Sequence, residues 1–173
     1  MGHGLYVYVC CLAAGYTFVA RSYAYDTKHL KEIIKQAIRH EGLALVDILQ
    51  PCPTYNDINT KEWYAGEDRR DPKTGKPIPR LYKLEETGYD PVVHDLGEEF
   101  SKKLAAMEKA REWSDKIPIG VFYKNELTPT FQQRITQRIP FYVKNPPAKQ
   151  KICDDEGLPI TDVDVFFKEL KVI

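Results

Sequence analysis

The chain has 173 residues, with 25 basic side chains, 25 acidic side chains and four cysteines. Its length predicts one domain with a sizeable core, and its 43% hydrophobic and 12% aromatic content excludes an intrinsically disordered chain. Balanced charge gives no net field that would attract nucleic acid or an anionic membrane, so neither partner is predicted.

The N-terminal residues are apolar but lack the features of a targeting segment. Residues 5–14 have no basic region before them and lead directly into a core-strand pattern at Thr17–Arg21. No later run approaches the roughly 20 apolar residues of a membrane span. Because the cysteines also show no disulfide spacing, we predict a cytoplasmic protein. The tyrosine–valine alternation in residues 1–12 predicts a strand, and the adjacent Cys10 and Cys11 are predicted core residues because they suit no ordinary zinc site.

The next segment has the pattern of a βαβ unit. After the Thr17–Arg21 strand, Asp26 is placed to cap a helix, and Gly42 is placed to end it. The apolar helix positions recur at three-and-four spacing: Leu30, Ile33, Ile34, Ala37 and Ile38. The apolar run 43–49 then predicts a strand covered by helices on both faces. The predicted fold class is therefore α/β, a parallel sheet with flanking helices.

A cysteine between two prolines follows this strand and is the best candidate for chemistry. Pro51 has a fixed φ, and Pro53 favours an extended backbone at Cys52. Ligands of open α/β sheets bind outside the carboxyl ends of strands, and Cys52 lies three residues beyond such an end. A single cysteine in a loop is a usual source of the sequence-distant ligand of an iron–sulfur cluster. The alternative is a rigid turn around a small buried hydrophobe.

The rest of the chain divides by composition. Residues 61–94 are charged and rich in proline and glycine, which predicts a surface insertion that is either a solvated loop or a lid. A second helix is predicted to begin near Asp95, with Glu98 completing a capping box, and to continue through Leu96, Phe100, Leu104, Met107 and Ala110 to Trp113. The sequence of residues 117–123 predicts an extended stretch.

The predicted organisation is one incomplete domain over residues 1–173. Within it, residues 13–60 form the βαβ core with the cysteine loop, residues 61–94 the surface insertion, and residues 95–173 the second helix and an extended C-terminal arm. The arm includes an amphipathic segment at residues 163–170.

Several common catalytic signatures are missing from the chain. There is no Walker-type loop, no GxGxxG, no HExxH and no nucleophile elbow. The four histidines are scattered and are predicted to lie on the surface: His3, His29, His40 and His94. No catalytic residue is assigned.

Seven segments keep the order and spacing of one known family: Gly15–Arg21, Asp26 with His29-Leu30, Gly42–Asp47, Gln50–Asn56, Asn59–Tyr64, Ile117–Tyr123 and Pro129–Phe131. The chain thereby resembles the beta subunit of 2-oxoacid:ferredoxin oxidoreductases, in particular of the archaeal two-subunit enzymes. The resemblance extends over most of the chain.

The resemblance implies a thiamine-diphosphate-binding fold that carries thiamine diphosphate with Mg²⁺ and a 4Fe-4S cluster. It implies oxidative decarboxylation of a 2-oxoacid such as pyruvate or 2-oxoglutarate to an acyl-CoA, with electrons passed through the cluster to ferredoxin and with an active site that the alpha subunit helps to form. The cysteine of the family's Pro-Cys-Pro-Thr motif is the fourth cluster ligand, which assigns that role to Cys52. Thr54 and Asn56 are expected to steady the loop through side-chain to backbone hydrogen bonds.

The chain also departs from the family. The other three cluster cysteines and the Gly-Asp-Gly motif with its asparagine would precede Met1, and residues 1–12 do not resemble the helix that should precede Gly15. The resemblance therefore covers the C-terminal half of a beta subunit, with the N-terminal half missing. Such a half-sheet exposes an unpaired edge and an apolar face, so we expect the chain alone to be inactive and to need partners. The alternative is a non-catalytic assembly module or a truncated inactive fragment.

Overall fold

The computed structural model describes residues 5–160, together with residues 162 and 168. Contacts divide the chain into two units, Met1–Thr130 and Phe131–Ile173. The amphipathic segment predicted at residues 163–170 lies outside the described residues, except for residue 168. The predicted divisions at residues 60/61 and 94/95 stay predictions.

The first unit contains a four-stranded sheet flanked by helices. Its strands are β1 (Phe18–Tyr23), β2 (Ala44–Leu49), β3 (Leu81–Lys83) and β4 (Ile117–Lys124), in the order β2-β1-β4-β3. β1 pairs in parallel with β2 over all six residues, and β3 pairs in parallel with β4. The predicted α/β class is confirmed. The sheet is mixed, because β4 runs antiparallel to β1 with a register shift at Val19/Ala20.

The predicted βαβ unit is formed by β1, α2 (Thr27–Arg39) and β2. Asp26 caps α2 as predicted, its Oδ1 accepting a hydrogen bond of 3.1 Å from the backbone N–H of His29. The helix ends at Arg39, before Gly42. Only part of its predicted apolar stripe is covered, since Ile33 is buried whereas Ile38 is 78% exposed.

The core lies on both faces of the sheet. On the first face, Phe18 and Ala20 pack with Ile33 of α2. On the second face, Val19 packs with residues of α1 (Leu5–Ala13) and α4 (Glu99–Arg111), among them Tyr8, Leu12, Ala106 and Ala110. Successive residues of a strand point to opposite faces, so β1 is covered on both sides.

The strand predicted in residues 1–12 is wrong, because residues 5–13 form the helix α1. Tyr8 and Leu12 are one helical turn apart and both are buried, and this four-residue spacing decides the structure over the tyrosine–valine alternation. The core prediction for the cysteines is also wrong, since Cys10 is exposed and Cys11 is half-buried. The helix ends before Gly15, whose φ of 89° is favourable for glycine.

Residues 61–94 contain more structure than a solvated loop. They include α3 (Lys61–Ala65), the strand β3 and a 3-10 turn at Leu84–Glu86. Leu84 is fully buried in the core of the second face, so the segment contributes to the fold of the first unit.

The second predicted helix begins with a 3-10 turn at Leu96–Glu98 and continues as α4 to Arg111. Asp95 Oδ1 accepts from the N–H of Gly97 at 2.7 Å, and Glu98 Oε2 accepts from the N–H of His94 at 3.2 Å. The capping signal was therefore correct in position, although the carboxylate of Glu98 reaches one residue further back than a capping box requires. The predicted apolar positions Leu96, Phe100 and Leu104 are exposed, because α4 buries its alanines instead.

The second unit has short helices, α5 (Phe131–Arg138) and α6 (Phe141–Lys144), followed by a 3-10 turn at Pro147–Lys149. Its described part ends in a turn in which Asp154 Oδ1 accepts from the N–H groups of Glu156 and Leu158. Within the described residues of the whole chain, no helix is long and apolar enough to cross a membrane.

Candidate functional site

Cys52 lies in the loop that leaves the carboxyl end of β2. The strand ends at Leu49, and Cys52 is half-buried with a free thiol. The residues after it, from Pro53 to Ile58, are exposed. The thiol is thus neither deep in the apolar core nor fully in solvent, and the alternative of a buried hydrophobe in a rigid turn is not favoured.

Backbone hydrogen bonds fix the shape of this loop. The carbonyl oxygen of Cys52 accepts from the N–H of Tyr55 at 3.2 Å and from the N–H of Asn56 at 2.8 Å. Asn56 Oδ1 in turn accepts from the N–H groups of Ile58 and Asn59 at 3.1 and 3.0 Å. The predicted turn role of Asn56 is therefore confirmed. These bonds use the main chain of Cys52 and leave its Sγ available.

The chemistry of the Cys52 loop fits a single thiolate ligand to one iron of an iron–sulfur cluster. A 4Fe-4S cluster needs four thiolates in most proteins. Within the described residues, no three His, Cys, Asp or Glu side chains are grouped so as to hold a metal ion. Of the four free cysteines, Cys52 is the one that the resemblance assigns to a cluster, and its role as a cluster ligand stays a prediction.

An aromatic group lies where β1 ends beside β2. Tyr23 pairs in register with Leu49, and its ring lies 5.0 Å from the ring of Tyr64 and 5.6 Å from that of Tyr25. Burial, followed by the neighbouring phenols, raises the pKa of Tyr23 to about 12. Its hydroxyl is buried without a hydrogen-bond partner among the described residues. The carboxyl end of β1 therefore has a hydroxyl donor without an acceptor among the described residues, a feature that no pattern in the sequence indicates.

A buried arginine lies on the second face of the sheet. Arg21 Nε donates to Asp47 Oδ2 at 3.0 Å, and the hydroxyl of Tyr8 donates to the same oxygen at 2.8 Å. The guanidinium also lies over the ring of Tyr8, 4.6 Å from its centroid, and over that of Phe122 at 5.5 Å. Burial raises the pKa of Tyr8 above its ordinary value. Sequence reasoning missed this group, and its only signal was one charged residue inside each of two neighbouring apolar strands.

Two histidines predicted on the surface are buried, and both attach α2 to β1. His29, in the first turn of α2, has Nδ1 2.8 Å from Ser22 Oγ. Its Nε2 lies 3.1 Å from Glu85 Oε1, which is an ion-pair distance without the alignment of a hydrogen bond. The prediction failed because a hydroxyl on the sheet can satisfy a ring nitrogen and make burial acceptable.

His40, just after α2, repeats this arrangement. Its Nε2 lies 2.8 Å from Thr17 Oγ1, and burial lowers its pKa although the carboxylate of Glu126 acts in the opposite direction. Gly42 is required beside this pair, because a Cβ there would lie 2.1 Å from Thr17 Oγ1. His94 is exposed as predicted, and His3 lies outside the described residues.

A separate open groove of about 670 Å³ lies between β3 and the end of α4. It is lined by Pro79, Arg80, Tyr82, Thr87, Lys109, Glu112, Trp113, Asp115 and Lys116. None of these residues belongs to the Cys52 loop, so the groove gives no support to the cysteine as a site residue.

Comparison with known proteins agrees with the fold. Residues 78–138 match the family model for the C-terminal part of the pyruvate ferredoxin oxidoreductase beta subunit. Over 162 residues the chain is 52% identical to a 2-oxoacid:ferredoxin oxidoreductase subunit beta of Saccharolobus solfataricus, a match that covers 93% of this chain and 48% of the relative. A subunit beta of 2-oxoacid:ferredoxin oxidoreductase 1 from Aeropyrum pernix is 49% identical over 162 residues, covering 92% and 47%.

A solved structure gives the same result. It is a 2-oxoglutarate:ferredoxin oxidoreductase from Magnetococcus marinus with 2-oxoglutarate, coenzyme A and succinyl-CoA bound. The similarity has a TM-score of 0.55 at 29% sequence identity and covers 99% of this chain and 45% of that chain.

The fold and these matches define an α/β protein related to the subunits of ferredoxin-linked oxidoreductases. More particularly, the chain is homologous to the beta subunits of 2-oxoacid:ferredoxin oxidoreductases, which confirms the resemblance seen in the sequence. It spans about half the length of the curated relatives it matches.

Proposed function

We propose that this chain is the part of a 2-oxoacid:ferredoxin oxidoreductase beta subunit that binds the cluster and contacts the other subunits. The observation that carries the proposal is Cys52, a half-buried free thiol whose loop is fixed by main-chain hydrogen bonds at the carboxyl end of a parallel strand. Homology over most of the chain supports it.

In the proposed assembly, a 2-oxoacid such as pyruvate or 2-oxoglutarate is oxidatively decarboxylated to an acyl-CoA, with ferredoxin as electron acceptor. Cys52 would hold one iron of a 4Fe-4S cluster, which supplies one-electron transfer when bound. The other cluster ligands, and the residues that bind thiamine diphosphate and Mg²⁺, would come from the part of the beta subunit that this chain does not span. An alpha subunit would complete the active site. We therefore expect the chain alone to be inactive.

The second candidate is an assembly module without an active site of its own. It is favoured by the finding that, over the described residues, no group of three metal-binding side chains exists. The two candidates differ in whether Cys52 binds iron within the assembly.

The test is reconstitution of the chain with iron and sulfide, after coexpression with an alpha subunit and the unmatched part of the Saccharolobus solfataricus relative. The proposal expects a brown complex that loses its iron–sulfur absorbance, or keeps an incomplete cluster, when Cys52 is replaced by serine. Cys153→Ser is the matched control, because Cys153 is an exposed free cysteine in the second unit. A full cluster spectrum in the Cys52→Ser complex would contradict the ligand role, and a colourless wild-type complex would favour the assembly module.

A further inference from the structure

The groove between β3 and the end of α4 has the size of a ligand site, and the proposed function does not use it. Its volume of about 670 Å³ lies within the range of roughly 300–1,000 Å³ that is usual for small-molecule pockets. Two aromatic rings, those of Tyr82 and Trp113, form part of the lining, and Trp113 is 37% exposed. The groove therefore offers a flat apolar surface that a ligand can reach.

Each of these rings already has a cation beside it. The guanidinium carbon of Arg21 lies 5.7 Å from the centroid of the Trp113 ring, and Lys109 Nζ lies 5.8 Å from that of the Tyr82 ring. A cation is attracted by the negative face of an aromatic ring. Because both rings are engaged in this way, Arg21 and Lys109 would repel a second cation in the groove. The rings therefore disfavour a cationic ligand.

The acidic groups of the lining are already paired. Glu112 Oε1 accepts from Lys109 Nζ at 2.7 Å, and Glu112 Oε2 accepts from the hydroxyl of Tyr82. Asp115 Oδ1 lies 3.2 Å from Nη1 of Arg69. Because cations balance the charges of both carboxylates, these groups oppose a bound anion less than free carboxylates would.

The spare hydrogen-bonding capacity of the lining consists of donors. Arg80 is 7% exposed and donates to Asp68 through both terminal nitrogens at 2.6 Å, yet its Nε has no hydrogen-bond partner among the described residues. Lys116 is exposed and forms no ion pair with any described residue. A guanidinium N–H and an ammonium group both require acceptors, so the lining is complementary to an anion.

The backbone of the loop between α4 and β4 is in an uncommon conformation at the groove. Ser114 has a φ of 70°, in the left-handed region that residues other than glycine adopt at a cost. It lies between Trp113 and Asp115, which both line the groove. The conformation of Ser114 therefore helps to set the positions of two lining residues.

We propose that this groove binds a small molecule with one aromatic ring and one anionic group, such as an aryl carboxylate. The ring would stack on Trp113, and the anion would accept from Lys116. A single negative charge matches the one lysine of the lining that is unpaired among the described residues, and Trp113 supplies the exposed ring for stacking. The site is separate from the Cys52 loop, and the inference goes beyond the proposed function.

The test is an NMR titration of the full 173-residue chain with four probes of similar size. Phenylacetate has both the ring and the charge, and it should bind saturably with a dissociation constant of about 1 mM or tighter. Phenylacetamide lacks the charge and cyclohexylacetate lacks the aromatic ring, so each should bind about fivefold or more weakly. Phenethylammonium has the opposite charge and should not bind. No saturable binding of phenylacetate, or equal binding of phenethylammonium, would overturn the proposal.

Substitutions locate the binding. Lys116→Gln should weaken phenylacetate binding about fivefold or more. Lys73→Gln is the matched control, because Lys73 is also exposed but does not line the groove. Trp113→Leu should weaken binding about fivefold, whereas Trp113→Phe keeps a ring and should retain the affinity within about twofold. An affinity that neither Lys116→Gln nor Trp113→Leu changes would place the binding elsewhere and contradict the inference.

Measurement in the assembly distinguishes a ligand site from a subunit contact. The complex prepared for the Cys52→Ser experiment should bind phenylacetate as tightly as the chain alone does. Loss of binding on assembly would assign the groove to a contact with another subunit and overturn the proposal. No residue of the groove belongs to the Cys52 loop, so this inference and the proposed function can fail separately.

Discussion

The two faces of the central sheet are held by different kinds of interaction. On the first face, α2 packs through apolar side chains around Phe18 and Ile33, and His29 and His40 attach its two ends to hydroxyl groups near β1. On the second face, which α1 and α4 cover, the guanidinium of Arg21 lies over the rings of Tyr8 of α1 and Phe122 of β4.

The two faces of β1 therefore have different physical requirements. Phe18 and Ala20 need only apolar neighbours, so their contribution to the stability of the fold is roughly proportional to the apolar area that they remove from water. Arg21 needs an acceptor and ring faces, so its contribution depends on geometry. The first face should therefore respond to lost volume, and the second to a lost partner.

The largest expected effect is on the first face. Phe18→Ala removes a fully buried ring that lies 5.4 Å from the ring of His40, and it leaves a cavity that the sheet cannot close. We expect a loss of about 4 kcal/mol in the free energy of unfolding. Urea denaturation measures it. Leu127→Ala, at an exposed position, is the control and should change stability by less than about 0.5 kcal/mol.

Removing the buried charge of the second face should reduce the free energy of unfolding slightly less than Phe18→Ala does. Arg21→Met leaves Asp47 without its cationic partner, and we expect a loss of about 3 kcal/mol, moderated because about a third of the Asp47 side chain reaches solvent. Urea denaturation of the single variant and of the double variant Arg21→Met/Asp47→Leu tests the cause. If the loss comes from the stranded carboxylate, the double variant should recover much of it. A double variant as unstable as the single one would mean that the dominant loss is the packing of the guanidinium on the rings or the hydrogen bond from the buried Tyr8 hydroxyl to Asp47.

The first face was the more predictable of the two. The helix α2 and its cap at Asp26 follow from local rules and were confirmed, although only part of the predicted apolar stripe is buried. Arg21 and its partner Asp47 are 26 residues apart, and only the parallel register between β1 and β2 brings them together. Sequence periodicity assigns a charged residue to the surface, so it misses a charge that a neighbouring strand satisfies.

The loop of the candidate site was predictable for a different reason. Pro51 and Pro53 restrict the backbone locally, and the position of Cys52 after an apolar strand follows from chain order. The hydrogen bonds of Asn56 are equally local. In contrast, the buried hydroxyl of Tyr23 depends on α3, which sequence reasoning placed in a surface insertion.

The smallest expected effect concerns the histidine at the end of α2 and depends on pH. Burial lowers the pKa of folded His40 below its ordinary value of 6.5. As the pH falls below that value, the unfolded chain therefore takes up the proton before the folded chain does. Stability should be complete above about pH 6.5 and should decrease towards lower pH, by at most about 1.4 kcal/mol per pH unit for one group. Lys124 favours neutral His40, whereas Glu126 and Glu41 oppose it.

His40→Gln tests this dependence, because the amide can still hydrogen-bond to Thr17 but does not titrate. Urea midpoints between about pH 7.5 and pH 5.5 should fall less steeply in this variant than in the wild type. His94→Gln is the control, since His94 is exposed and lies outside the α2 contacts. If His40→Gln retained the full wild-type slope, the pH dependence of the first face would have to arise from another group.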